Sequence, residues 1–363
     1  MNKVKSAVTH ISTLLTLGLA VALIFAFAGK GKGQQSVESL GQEARHESQQ
    51  RNDYCSQTAR ALHDACKAEV TDGSFKKKAV CINLADEKDR DACFDELDEE
   101  RSQGAKLCRA QREERLAACE LLGQNRYDPD IDPDKFDNDF SKLTRPNPYF
   151  PLTIGNRWEY RSENEVNSVE VLNRTKLIED VTAVVVDDKV FKNGALAEAT
   201  DDWFAQARNG DVWYLGEEVK DYESFDGDLP KLPELVKIDG SFKSGRNGDK
   251  GGLFFLAAPR VGRTYLEEFS LGNAEDVTQI LSTTYKFGSN AELDRLAPQA
   301  LMEHLCAAGD CIVTKNYSLL EPGIFARKYY ARGIGLFLEV KPDTQEVLRL
   351  VNCNFNARCS NLP

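Results

Sequence analysis

Ten cysteines follow a hydrophobic leader, and this combination constrains the fold of the chain most strongly. Residues 1–28 have a basic start, an uncharged apolar run and the sequence Ala26-Phe27-Ala28, the pattern of a cleaved signal peptide. An uncleaved anchor is the alternative, because an apolar run of about 18 residues is just long enough to span a bilayer. The chain is therefore expected to be secreted or periplasmic, with a membrane contact only if the leader is retained.

The composition of the chain limits its partners. The formal net charge is −12, and an acidic surface repels nucleic acid and anionic lipid. Only four histidines occur, which disfavours histidine-based catalytic triads and multi-histidine zinc sites. We expect no nucleic-acid partner. The length of 363 residues accommodates two or three domains.

A helical module is predicted at 51–123, after a polar, flexible linker at 29–50. The module is rich in Ala, Leu, Glu, Lys and Arg, which favour helix. Its cysteines recur in two series with a shift of 26 or 27 residues, which predicts three antiparallel helices with turns at 71–74 and 102–104. These cysteines are Cys55, Cys66, Cys81, Cys93, Cys108 and Cys119.

The six helical cysteines have two interpretations. Disulfides between helices are the structural one, because an even number of cysteines in an exported chain favours pairing. Their connectivity stays open, since three helices would place three thiols at each level. The alternative is a thiolate site for copper(I) or zinc, which His63 would join. No Cys-x-x-Cys occurs, which weakens the zinc-ribbon and thioredoxin interpretations.

An acidic linker is predicted at 124–146. Four aspartates alternate there with other residues: Asp128, Asp130, Asp132 and Asp134. Alternating carboxylates are typical of the start of a calcium loop, but Pro133 occupies the position at which such a loop needs glycine. We expect a solvated linker, with a calcium site as the alternative and no other cofactor.

Residues 147–363 predict a mainly antiparallel β domain, either a half-barrel or a barrel. Asn193-Gly194 and Asn209-Gly210 each separate two strand-like runs, which is typical of hairpins. One helix is expected at 291–304, broken at Pro298. The whole chain is thus predicted to be an α+β multidomain protein. Two local disulfides are expected in this domain, Cys306 with Cys311 and Cys353 with Cys359, and crossed pairing of these four cysteines is the alternative.

The hairpin at Asn209-Gly210 carries the candidate ligand-binding aromatic residues, which are Trp203, Trp213 and Tyr214. A two-residue turn would place Trp203 and Tyr214 on one face of the sheet, and Phe204 with Trp213 on the other. A non-enzymatic protein that binds a small apolar ligand is the first hypothesis. A structural or protein-interaction domain is equally open, because aromatic residues on strands more often pack than bind.

Enzyme motifs are absent from the sequence. It has no Gly-x-Ser-x-Gly, His-Glu-x-x-His or phosphate loop, and the glycine-rich run 245–252 is expected to be a mobile loop. The pairs Asp201-Asp202 and Glu217-Glu218 could still meet across the hairpin, as acid–base catalysis needs. A carboxylate hydrolase in the β domain is therefore the alternative to binding.

Three blocks of the β domain resemble an uncharacterised family of secreted bacterial β-domains. The blocks are NPYFPLTIGNRWEY (147–160), DDWFAQARNGDVWYLGE (201–217) and KYYARGIGLFLEV (328–340). The resemblance covers most of 127–351 and leaves out the helical cysteine repeat. It implies a secreted β domain and no particular activity or catalytic residue.

Overall fold

The structure, a computed structural model, describes residues 53–363. The predicted signal peptide at 1–28 and the linker at 29–50 lie outside the described residues. The described chain forms a helical pair with three disulfides, followed by an antiparallel, nearly closed barrel. This architecture confirms the predicted fold class.

The N-terminal module is a hairpin of two long helices. Helix α1 spans Tyr54–Asn83 and helix α2 spans Glu87–Leu122. Between them Asp86 begins α2, because its side chain accepts hydrogen bonds from the backbone N–H groups of Lys88 and Asp89. The chain therefore reverses once, at residues 84–86.

The prediction of three helices is wrong, because both expected turns lie inside the long helices. Residues 71–74 belong to α1 and residues 102–104 belong to α2. At Gly104, an added Cβ would lie 2.8 Å from Cγ2 of Val70 on the facing helix. The glycine thus permits close approach of the two helices rather than a turn.

Three disulfides join the facing helices: Cys55–Cys119, Cys66–Cys108 and Cys81–Cys93. The gaps between successive cysteines are 11, 15, 12, 15 and 11 residues, a series that reads the same in both directions. Gaps of 11 and 15 residues are close to three and four helical turns, at about 3.6 residues per turn, so each helix keeps its cysteines on one face. All ten cysteines are in disulfides, which leaves no thiolate for the metal alternative.

Fifteen strands form the sheet of the barrel. They are β1 (Arg157–Arg161), β2 (Glu165–Ile178), β3 (Val181–Lys192), β4 (Ala195–Gln206), β5 (Val212–Glu223), β6 (Glu234–Lys237), β7 (Phe242–Lys243), β8 (Lys250–Phe255), β9 (Thr264–Leu266), β10 (Glu268–Phe269), β11 (Asp276–Tyr285), β12 (Cys311–Ser318), β13 (Ala326–Ala331), β14 (Gly335–Lys341) and β15 (Glu346–Cys353). The wall runs in the order β10-β8-β5-β4-β3-β2-β1-β15-β14-β13-β12-β11-β9, and β6 and β7 pair with β5 beside it.

The wall closes at Glu267. Strands β9 and β10 stand at opposite ends of the pairing order, yet Glu267 alone separates them along the chain. Because β9 pairs with β11 and β10 pairs with β8, one short segment joins the two ends of the sheet. Gly252 of β8 permits this approach, since an added Cβ would lie 1.9 Å from the carbonyl oxygen of Glu267. The run 245–252, expected to be a mobile loop, thus contributes to a strand.

Two short helices cover part of the outer face of the barrel. They are α3 (Ala291–Asp294) and α4 (Gln299–Leu305), separated at Pro298 as expected. The hydroxyl of Tyr329 donates a hydrogen bond to the backbone oxygen of Leu293 at 2.6 Å. The disulfides Cys306–Cys311 and Cys353–Cys359 close short loops in the same domain.

The helical hairpin docks on the barrel through a buried ion pair. Arg115 of α2 donates two hydrogen bonds to the Glu275 carboxylate, at 2.7 and 2.9 Å, and both side chains are buried. Apolar residues surround this contact, with Ala118 of α2 packed in one cluster with Val277 and Tyr317. A bidentate arginine–carboxylate pair fixes orientation as well as distance, so it sets how the hairpin sits on the barrel.

The acidic segment 124–146 lies against the barrel rather than in solvent. The Tyr127 hydroxyl donates to the backbone oxygen of Gly251 at 2.9 Å. Phe136 is buried in a cluster with Trp203 and Trp213 on the outer face of the wall. The segment is therefore a packed strap, on which Asp128, Asp130 and Asp134 are exposed and Asp137 is buried.

We predict that Gly252→Ala destabilises the barrel by about 3 kcal/mol, because the new methyl group overlaps the backbone of the closing segment. Chemical denaturation would measure the loss of unfolding free energy. Gly251→Ala is the matched control, since the nearest atom there is a terminal methyl of Leu215, which can shift. Equal losses in the two variants would contradict the role of Gly252 in closure.

Candidate functional site

The turn between β4 and β5 decides which aromatic side chains face the barrel interior. The N–H of Ala207 donates to the backbone oxygen of Asp211 at 2.9 Å, so three residues, 208–210, form the loop. Gly210 adopts a φ of 94°, which this three-residue turn requires. The expected two-residue turn is wrong, and a shift of one residue exchanges the faces of a strand.

With this register, Phe204 pairs with Tyr214 on the inner face, and their rings stack with centroids 4.8 Å apart. Trp203 and Trp213 instead lie on the outer face, where the Lys176 ammonium sits 3.2 Å from the centre of the Trp203 ring. Of the three predicted ligand-binding aromatics, the structure places Tyr214 in the interior and the two tryptophans outside it.

The barrel encloses a cavity of about 280 Å³ that is partly open to solvent. One side is aromatic: Phe150, Phe204 and Phe254 pack with ring centroids 4.7 to 5.0 Å apart. Leucine and valine side chains continue this apolar wall. Burial of 70% or more of a small ligand is typical of such a concave, mostly apolar site.

The other side of the cavity is acidic. Six carboxylates line it: Asp188, Asp202, Glu267, Glu268, Asp276 and Glu339. Among the described residues that line the cavity, Lys328 alone is basic, and its ammonium lies 3.9 Å from Glu339. Burial disfavours the charge of Lys328, but Glu339 and the other nearby carboxylates outweigh it and raise the pKa of this lysine.

Burial also raises the pKa values of the cavity carboxyls. It raises the pKa of Asp202 to about 7, although the Tyr214 hydroxyl donates a hydrogen bond to this carboxyl and favours its charge. It likewise raises the pKa of Glu267 to about 7, against the effects of Lys328 and of a hydrogen bond from Thr278. Burial, followed by repulsion from Asp202, places the pKa of Asp188 well above its usual range.

The two predicted acidic pairs divide between the faces of the wall. Asp202 lies opposite Glu217 in the β4–β5 register, and burial and the Asp202 charge raise the pKa of Glu217. The outward members bind basic side chains instead. Arg174 contacts Asp201 at 2.5 Å, and Lys220 contacts Glu218 at 2.5 Å. The inward residues Asp202 and Glu217 therefore face each other across the hairpin, whereas the outward residues Asp201 and Glu218 each pair with a basic side chain.

Lysines contact three of the four aspartates proposed for calcium. Lys135 contacts Asp130 at 2.5 Å and Asp132 at 3.5 Å, and Lys250 pairs with Asp128. Pro133 and Asp134 begin a short 3-10 turn. Within residues 53–363, no three or more His, Cys, Asp or Glu side chains are grouped so that they could hold a metal ion.

Most of the acidic lining was not predicted from the sequence. Strand β3 shows the signal that could have found it, because Val184, Val186 and Asp188 occupy alternate positions and therefore point to one side. A carboxylate that continues an apolar series on a strand faces the same interior as that series. Asp276, the first residue of strand β11, was missed as well.

Comparisons with known proteins supply no function. The chain matches no protein-family model and no curated protein. A solved structure of a presumed lipoprotein from Parabacteroides distasonis aligns with 58% of this chain and 99% of its own, at 11% identity and a TM-score of 0.27. A likeness this weak shows neither a shared fold nor a shared function, and the three β-domain blocks remain a resemblance.

The disulfides bear on the location of the protein. Five disulfides are typical of proteins that fold in an oxidising compartment, which indicates a place outside the cytosol. No helix in the described part of the chain combines the length and the apolarity needed to cross a bilayer.

We predict that Asp202→Asn stabilises the protein at pH 8 by roughly 2–4 kcal/mol and has no effect at pH 4. The folded-state pKa of about 7 exceeds the usual 3.8, so ionisation of Asp202 costs stability as the pH rises from about 4 to about 7. Thermal unfolding of the variant and the unaltered protein from pH 4 to pH 8 would show the difference in melting temperature grow with pH. Asp201→Asn is the control on the outer face, and a lower melting temperature for Asp202→Asn at pH 8 would refute the prediction.

Proposed function

We propose that this protein binds a small, largely apolar ligand inside its barrel, and that it acts as a secreted or periplasmic binding protein. The observation that carries this proposal is the partly open cavity of about 280 Å³ with an aromatic wall. Its volume equals that of about nine water molecules at roughly 30 Å³ each, so the ligand is small.

The packing of the wall supports a binding site over a solid core. Tyr285 and Tyr329 are fully buried between the barrel and α3, where their hydroxyls donate hydrogen bonds to Asp294 and to the backbone of Leu293. Phe150 and Phe254, by contrast, are half-buried side chains on the cavity wall. Apolar surface that remains open inside a well-packed domain gains free energy when a ligand covers it.

The location proposed here rests on the leader pattern of residues 1–28 and on the disulfides. A cleaved leader would release the helical hairpin and barrel as one soluble unit, whereas a retained leader would anchor it. The ligand-binding proposal holds for either outcome, since it depends on the barrel alone.

Calorimetric titration with 2-naphthalenemethanol, a neutral aromatic probe, tests ligand binding. We expect saturable binding with one site, and we expect Phe254→Ala to weaken it by about tenfold, because the variant removes an aromatic ring from the wall. Trp213→Ala is the matched control, since it removes an aromatic side chain from the outer face and should leave the affinity unchanged.

Three results would count against the proposal. They are no saturable heat, an unchanged affinity in Phe254→Ala, and equal weakening in Trp213→Ala. The melting temperatures of both variants show whether each remains folded at the temperature of the titration. Loss of binding in a folded Phe254→Ala variant is the supporting result.

A second candidate function is hydrolysis by the cavity carboxyls. The specific observation in its favour is that Asp202 and Glu267 both line the cavity with pKa values of about 7, where a group can act as acid or base at neutral pH. Hydrolysis of p-nitrophenyl glycosides would be expected between pH 5 and 8, with a loss of at least about a hundredfold in Asp202→Asn. Asp201→Asn should keep the activity, and inertness towards the whole glycoside panel would reject this candidate.

A further inference from the structure

The cavity is short of hydrogen-bond donors and positive charge. Several of its carboxylates are satisfied from within: Glu267 accepts hydrogen bonds from Thr278 and, at 3.0 Å, from Asn316. Asp202 accepts one from the Tyr214 hydroxyl. Lys328, the single basic group of the lining, lies beside Glu339. These contacts leave part of the acidic wall unmatched.

Two acceptors on this wall have no partner in the described part of the chain. They are Oδ1 of Asp188 and Oδ1 of Asn167, both buried, and both residues line the cavity. Leaving such an acceptor buried without a donor destabilises the folded state, because the lost hydrogen bonds to water are not replaced. A protein core does not gain from this arrangement, whereas a site for a donor ligand does.

The register of the strands brings these acceptors together. Asn167 lies opposite Val190, and Asp188 lies opposite Val169, so the two residues are diagonal neighbours on β2 and β3. Asp202 continues the same diagonal on β4, where it lies opposite Val186. Diagonal neighbours on one face are about 7–8 Å apart at their Cα atoms, within reach of one small polar group between them.

The aromatic wall stands beside these acceptors. Phe204 neighbours Asp202 on β4, two residues further along the inner face, and Phe254 packs on Phe204 with ring centroids 4.7 Å apart. Aromatic faces attract cations, most strongly where water is excluded. The cavity therefore offers a cation both carboxylates and ring faces, together with an apolar surface for the rest of the molecule.

We infer that the ligand of the cavity is an organic cation, with an ammonium-type head that donates hydrogen bonds to Asp188 and Asn167 and an apolar body that packs on Phe204 and Phe254. This inference rests on the proposed binding function and names its ligand class. In the empty cavity burial favours a neutral Asp188, and a bound cation restores the charged form because an opposite charge nearby favours ionisation. The site thus distinguishes ligands by charge as well as by shape.

Three probes of nearly the same shape test the inference on the unaltered protein at pH 7.5. They are 2-naphthylmethylamine, a cation; 2-naphthalenemethanol, which is neutral; and 2-naphthoate, an anion. Calorimetry should give an affinity about tenfold or more higher for the amine than for the alcohol, and the weakest binding for the carboxylate. An alcohol that binds as tightly as the amine would overturn the inference and leave the proposed function standing. Absence of binding by all three would reject the proposed function itself.

The variant Asp188→Asn tests whether the preference for the amine over the alcohol depends on the charge of Asp188. It keeps the shape of the side chain and removes its charge, so the amine should lose more affinity than the alcohol and the ratio of amine to alcohol affinity should fall towards one. Asp187→Asn is the matched control, since Asp187 alternates to the outer face and pairs with Lys189 at 2.7 Å. A preference for the amine that survives in a folded Asp188→Asn variant would contradict the assignment. The probe series gives a separate answer if that variant does not fold.

Discussion

Closure of the sheet at Glu267 is the constraint on which the rest of the structure depends. An open sheet of this length would expose its inner face to water, and the carboxylates on it would remain ordinary surface groups. The backbone of 264–269 joins the two ends of the wall, and it can do so because Gly252 presents no side chain. Closure removes the inner face from bulk water, and from that follow both the cavity and the raised pKa values of its carboxyls.

The barrel carries a stability cost at the site that it builds. Buried carboxyls with raised pKa values oppose folding at neutral pH, and buried acceptors that have no donor among residues 53–363 add to this cost. Packing on the outer surface of the barrel offsets this cost. The strap at 124–146, the short helices and the docked hairpin all bury apolar surface on the outside of the wall. A fold stabilised from outside can keep a poorly satisfied interior, which is the arrangement that a binding site needs.

The helical hairpin is rigid for a different reason. Two helices with few buried apolar side chains would be marginal alone, and their core consists largely of cysteines, with Cys81, Cys93, Cys108 and Cys119 among the buried residues. Disulfides replace a hydrophobic core there. The ion pair of Arg115 with Glu275 then couples this rigid hairpin to the loop that leads into β11. Movement of the hairpin would have to break that pair, so the module braces the side of the barrel next to the closing strand β9.

The sequence by itself determined the order of a helical cysteine module and an antiparallel β domain, because composition and turn residues act locally. It also contained the symmetric cysteine spacing that matches a two-helix hairpin. The spacing was interpreted instead as a repeat of single helices, so the hairpin was not predicted. Tertiary structure alone decided the register at Gly210 and the closure at Glu267. A slip of one residue at that turn would exchange Tyr214 and Trp213 between the interior and the exterior of the barrel. Which carboxylates are buried follows from that register and closure, and both depend on contacts between strands far apart in the chain.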